Sequence, residues 1–127
     1  MNLNQVTVPS LNVAASVDFY CRLGLKLIVS SPHYARFQCP SGDSSFSVHL
    51  VNELPHQSLT VVYFETKALD ERVKQLQREG FVFAQEPQDE SWLWREARTP
   101  DPSGNVICLY WAGTNRLNPP WRIPPSA

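Results

Sequence analysis

No stretch of the chain reaches about 18 consecutive apolar residues, so nothing in it reads as a bilayer-spanning helix. No stripe of lysine and arginine points to nucleic acid, and no polybasic amphipathic helix points to a membrane surface. The 11 basic and 12 acidic residues are well mixed and leave a formal net charge of −1. Cysteine is scarce: Cys21, Cys39 and Cys108 are an odd number with no CxxC, which predicts reduced thiols in a cytoplasmic protein. The opening MNLNQVTVPSLNV lacks a basic start followed by a long apolar run, and is expected not to be a signal peptide. What remains is 127 residues, 43% hydrophobic and 18% charged, which suits an ordinary globule. That length builds one domain, or two small halves fused into one core.

One phrase is written twice. CPSGDSSFSVHL runs from Cys39 to Leu50, and DPSGNVICLY runs from Asp101 to Tyr110. Each is a Pro-Ser-Gly turn that rises into an alternating apolar strand. The same doubling appears upstream. In VAASVDFYCRLG, Val13, Val17 and Tyr20 fall at i, i+4 and i+7, and Gly24 closes the pattern. In LDERVKQLQREG, Leu69, Val73 and Leu76 fall at the same spacing, and Gly80 closes it. Both are amphipathic helices with a glycine stop. Strand patterns flank each helix. The first half is expected to have strands near 3–8, 25–30, 34–39 and 45–51, with a helix near 12–23. The second is expected to have strands near 58–66, 81–85, 92–99 and 105–111, with a helix near 68–79. Residues 112–127 form a Pro-rich tail, either an irregular surface extension or an anchor that places Trp121 on a neighbouring subunit. Each half can cover only one face of its sheet with its helix, so the other face must meet something else.

Tandem strand–helix–three-strand units, SVDFYCRLGL at the first helix end and RTPDPSGNVICLY at the last hairpin resemble the vicinal oxygen chelate superfamily. That family includes glyoxalase I, extradiol dioxygenases, fosfomycin-resistance enzymes and bleomycin-resistance proteins. The resemblance covers residues 3–111. It implies an α+β fold of two tandem βαβββ modules, with curved mixed sheets around a cleft, and usually a homodimer. Residues 1–111 then form a single glyoxalase-like domain, with module one at 1–55 and module two at 56–111. Members range from metal enzymes to metal-free drug-binding proteins, so fold alone does not give function.

Metal-using members place a His or Glu on the first and last strand of each module. The matching positions here are Gln5, His49, Val61 and Cys108. Only His49 is a strong ligand type, and Val61 cannot ligate. Gln, His and Cys together would favour zinc over magnesium or manganese. The alternative is that His49 is a hydrogen-bonded cleft residue and Cys108 an apolar lining residue. No metal cofactor is expected.

Strand alternation then predicts which side chains line the trough. Gln5, Tyr34, Arg36, His49, Tyr63, Glu65, Trp94, Glu96, Arg98, Cys108 and Tyr110 are expected there as a ligand-binding set. Thr7, Ser47 and Trp92 share those faces. Ala35, Phe37, Ala97 and Leu93 are expected in the core, with Arg95 at the sheet rim. Aromatic walls with a few convergent polar groups suit a small organic ligand. The arginines either clamp a carboxylate or phosphate, or pair internally with Glu65 and Glu96. A Cys108–His49 nucleophile pair is a further possibility. His33 and His56, beside prolines, are expected at the surface.

Three readings stay open. The preferred one is a metal-free protein that binds a small aromatic or carboxylated molecule in the inter-module cleft, as a homodimer, with no nucleic-acid or membrane partner. The second is a metal-dependent lyase, isomerase or dioxygenase with an unusual ligand set. The third is a protein whose trough is filled by its own side chains or its partner.

Overall fold

The computed structural model describes residues 2–54 and 58–125. His56 lies outside the described residues. The order of elements is β1 (Gln5–Ser10), α1 (Val13–Leu23), β2 (Lys26–Ser31), β3 (Tyr34–Gln38) and β4 (Ser45–Leu50), then β5 (Val61–Glu65), α2 (Leu69–Arg78), β6 (Gln85–Asp89), β7 (Arg95–Pro100) and β8 (Val106–Trp111). The strands form two four-stranded sheets, ordered β1-β4-β3-β2 and β5-β8-β7-β6. Strands β1 and β4 run parallel, as do β5 and β8, and the remaining pairs are antiparallel. This is an α+β fold of two βαβββ modules, each a mixed sheet with one helix.

Two compact units result. One comprises Met1–Thr60 with Asp101–Asn105, and the other comprises Val61–Pro100 with Val106–Ala127. In the first, the Asn12 side chain accepts the Ala15 N–H and starts α1. Gly24, at φ 118°, ends it, and the Leu25 N–H returns to the Tyr20 carbonyl. The helix buries Val13, Ser16, Phe19, Tyr20 and Leu23. The Tyr20 ring stands 4.6 Å from Phe46 and 5.6 Å from Phe37. Its hydroxyl donates to Asp101 Oδ2 at 2.7 Å. Burial, and then the Asp101 charge, drive the Tyr20 phenol far above its ordinary pKa, so it stays a donor.

The 101–105 turn is built by its aspartate. Asp101 Oδ1 accepts the backbone N–H groups of Ser103 and Asn105, and Gly104 takes the left-handed conformation at φ 84°. The turn is fixed within the first unit by two further bonds. The Leu11 N–H donates to Ser103 Oγ, and Asn105 Nδ2 donates to the Pro9 carbonyl.

In the second unit, α2 buries Leu69, Val73 and Leu76 and carries Asp70 and Glu71 in its first turn, where the helix dipole favours acid. Ala97, Ile107 and Leu109 are buried on the sheet. Arg95 donates to both Asp70 oxygens at 2.8 and 2.9 Å and to Asp89 at 3.0 Å, which ties α2, β6 and β7 together. No helix among the described residues is long and apolar enough to cross a membrane.

Three sequence expectations are corrected. The alternating FVFA at 81–84 is not a strand. Phe81 is buried where the chain leaves α2, with its N–H on the Leu76 carbonyl. Strand β6 forms later, in the polar Gln85–Asp89. It is an edge strand, which accommodates both Pro87 and the irregularity between Gln85 and Gln88. Strand β7 starts at Arg95 rather than 92, because Glu90–Trp94 form the turn before it. Leu93, expected in the core, sits in that turn at φ 66° and is 47% exposed.

Candidate functional site

Each sheet has one face away from its helix, and the candidate residues fall on these faces. In the first unit, register places Gln5 opposite Ser45, Thr7 opposite Ser47, Arg36 opposite Ser47 and Tyr34 opposite His49. Ser45 Oγ donates to Gln5 Oε1 at 2.7 Å, and the hydroxyls of Thr7 and Ser47 meet at 2.5 Å. Arg36 Nε donates to the Tyr34 hydroxyl at 2.8 Å. Hydrogen bonding from Ser47 first, then Arg36 and Gln5, holds the Tyr34 phenol below its ordinary pKa. The outcome is a small polar patch with one guanidinium. His49 is exposed at the end of β4.

In the second unit, Tyr63, Glu96, Arg98, Cys108 and Tyr110 share a face by register, with Tyr63 opposite Cys108, Glu65 opposite Tyr110, Glu96 opposite Tyr110 and Arg98 opposite Cys108. Trp94 stacks on Tyr110 with centroids 4.6 Å apart and planes at 17°. Tyr63 stands at 89° to both rings. Cys108, Tyr110 and Ala112 are the buried floor of this cluster, with Val61 and Trp94 packed against it. Tyr63 is 43% exposed and Trp94 half-buried, so the floor carries an accessible aromatic rim.

Charge lies beside the rings. Glu96 is 1% exposed. Its Oε1 accepts Arg98 Nη2 at 3.3 Å and lies 3.6 Å from Cys108 Sγ, and its Oε2 accepts the Trp92 indole N–H at 2.6 Å. The same Arg98 nitrogen reaches the Tyr63 hydroxyl at 3.5 Å. Burial opposes the Arg98 charge, but the Glu96 hydrogen bond and neighbouring groups more than offset it, so the guanidinium pKa rises. Burial, then the Glu96 charge, push the Cys108 thiol up to about 12. At neutral pH Cys108 is therefore a neutral thiol and not a nucleophile.

Glu65 does something the sequence did not suggest. Its Oε2 accepts the N–H groups of both Ala112 and Gly113 at 3.1 Å, and its Oε1 stands 3.9 Å from Arg116 Nε. The Trp94 indole donates to the Asn115 carbonyl. The residues after β8 are thus strapped to the aromatic cluster. No local pattern in AGTNR announces this, because backbone donors leave no mark in composition. Trp121, in the tail, is exposed.

The four positions that the resemblance assigns to a metal are not brought together within either unit. His49 pairs with Pro9, four positions along β1 from Gln5, a strand distance of about 13 Å. Side chains that stand off a sheet do not converge on one ion across that gap. In the second unit Val61 has no donor atom, and the residue opposite it in register is Val106 rather than Cys108. Among the described residues, no three His, Cys, Asp or Glu side chains are grouped to hold an ion.

The family model Glyoxalase, for the Glyoxalase/Bleomycin resistance protein/Dioxygenase superfamily, matches residues 2–109. Among solved structures, the chain is similar to a glyoxalase/bleomycin resistance protein/dioxygenase from Nocardioides. The identity is 21% and the TM-score 0.77, with 98% of this chain and 90% of that one covered. It is also similar to a bleomycin resistance determinant encoded on transposon Tn5, at 18% identity and TM-score 0.74, covering 87% of this chain and 98% of that one. A third is a bleomycin-binding protein complexed with bleomycin, at 18% identity and TM-score 0.71, covering 87% and 98%. At these identities the likeness is one of fold. No curated protein matches the chain.

Proposed function

This chain belongs to the Glyoxalase/Bleomycin resistance protein/Dioxygenase superfamily, and from that premise we propose that it binds a small aromatic or carboxylated organic molecule without a metal. The observation that carries this is the second unit's sheet face, where Tyr63, Trp94 and Tyr110 form an ordered aromatic cluster beside Arg98. Flat rings supply apolar area at low entropic cost, and a guanidinium supplies direction. The first unit carries its own polar patch, in which Arg36 Nε donates to the Tyr34 hydroxyl. The drug-bound relative of the same fold supports the class of ligand.

Three free thiols support a reducing, cytoplasmic setting. A homodimer is part of the reading, since exposed Ile28, Val29, Trp111 and Trp121 would gain from a partner.

The test uses metal-stripped protein titrated with bleomycin and with a panel of small aromatic acids, followed by tryptophan fluorescence and thermal shift. Saturable binding unaffected by chelator, and weakened roughly tenfold in Trp94→Ala, is expected, about 1.4 kcal/mol of lost contact. Binding that appears only when a divalent ion is added would overturn it.

A further inference from the structure

Glu96 is a carboxylate almost wholly removed from water, at 1% exposed. A buried ion pair is weak support for a fold. What Glu96 does is hold two side chains that reach solvent. Trp92, 43% exposed, gives its indole N–H to Oε2, and Arg98, whose side chain is 32% exposed, gives Nη2 to Oε1. Trp92 has no strand to orient it, because it lies in the turn before β7. Its ring is fixed instead by that 2.6 Å bond. The plate and the cation are therefore separated by no more than one carboxylate and two hydrogen bonds.

We propose that Glu96 is a positioning residue that sets the Trp92 ring and the Arg98 guanidinium at a fixed spacing, and so selects ligands carrying an aromatic ring and a carboxylate in one molecule. This rests on the ligand-binding reading above and narrows it from aromatic or carboxylated to both together.

The donor inventory favours an anion. Of the five guanidinium N–H donors of Arg98, Nη2 supplies those to Glu96 and Tyr63 and a third reaches Cys108, which leaves two for an incoming carboxylate. Glu96 itself is shielded from a ligand by burial and by the donors already on it. A ligand amine would meet the guanidinium, and the nearest partly exposed carboxylate, Glu65, is already engaged by the Ala112 and Gly113 N–H groups. Cys108, kept neutral, adds no competing anion to the floor. Fixing both recognition groups before binding removes the cost of ordering them afterwards.

The experiment compares naphthalene-2-carboxylate with naphthalene-2-carboxamide, by fluorescence titration of the full chain. Wild type is expected to favour the carboxylate at least tenfold. E96Q keeps the size but loses the charge and one acceptor. It is expected to bind both compounds more weakly than wild type, the carboxylate most, so that its preference for the carboxylate falls below about threefold. R98M should lose the same preference, and keeps the proposal testable if E96Q does not fold. Equal wild-type affinity for the two compounds overturns the proposal and leaves aromatic binding intact. An unchanged preference in folded E96Q also overturns it. Failure of wild type to bind either compound overturns the ligand-binding reading and this one with it.

Discussion

Tyr20 and Asp101 show how much one hydrogen bond can organise. The phenol is fully buried among Phe19, Phe37 and Phe46, and its hydroxyl meets a carboxylate that also shapes a turn. Tyr20→Phe keeps the ring and removes the donor. Asp101 retains the Ser103 and Asn105 donors, so the turn itself persists. The expected loss is about 1.5–3 kcal/mol, the range for a bond to a charged group, read from urea unfolding of both proteins. A loss below about 0.5 kcal/mol would show that the pair contributes shape rather than energy. The sequence marked Tyr20 as apolar helix face, correctly, but nothing in it says where a buried hydroxyl finds its acceptor 81 residues away.

Among the elements, the helices were the most legible, because a 3.6-residue apolar period with a glycine stop has few competing explanations. Strands with an alternating apolar pattern were legible too: SFSVHL and NVICLY fall on β4 and β8, where Ser47, Cys108 and Tyr110 on the second face are buried as well. Strand β6 was not, because QEPQD at a sheet edge has no apolar face to display. The face assignment for Tyr63, Glu96, Arg98 and Cys108 follows from period two alone. The roles of Trp92 and Glu65 do not, since one acts from a turn and the other on backbone amides. At this scale the Arg95 junction gives a pH prediction. The Arg95 hydrogen bonds hold the Asp70 carboxyl below its usual range. The unfolded chain, with its aspartate near about 4, binds that proton more readily. The stabilising contribution is therefore present above about pH 4 and disappears as pH falls through the lowered folded value. Asp70→Asn should unfold at lower urea than wild type at pH 7, and the gap should close by about pH 2. A gap that persists there would assign the effect to the α2 start rather than to the ion pair. Both groups are largely solvated, so the effect is small.

For the whole molecule, the doubled sequence foretold the doubled sheet, but not how the chain divides. The first unit is not a continuous segment: it ends at Thr60 and then takes back Asp101–Asn105. This bears on the order in which a ribosome delivers the protein. When Thr60 has emerged, every strand of the first sheet exists, yet Tyr20 has no acceptor, Leu11 no Ser103 and Pro9 no Asn105. At about 5–20 residues per second the missing turn arrives roughly 2–9 s later. Force-sensitive arrest peptides placed along the chain should therefore register folding of the first sheet only once residue 105 has cleared the tunnel. A signal at residue 60 would show that the first half closes by itself. Until then the nascent chain holds a complete set of strands whose buried Tyr20 hydroxyl still lacks its acceptor.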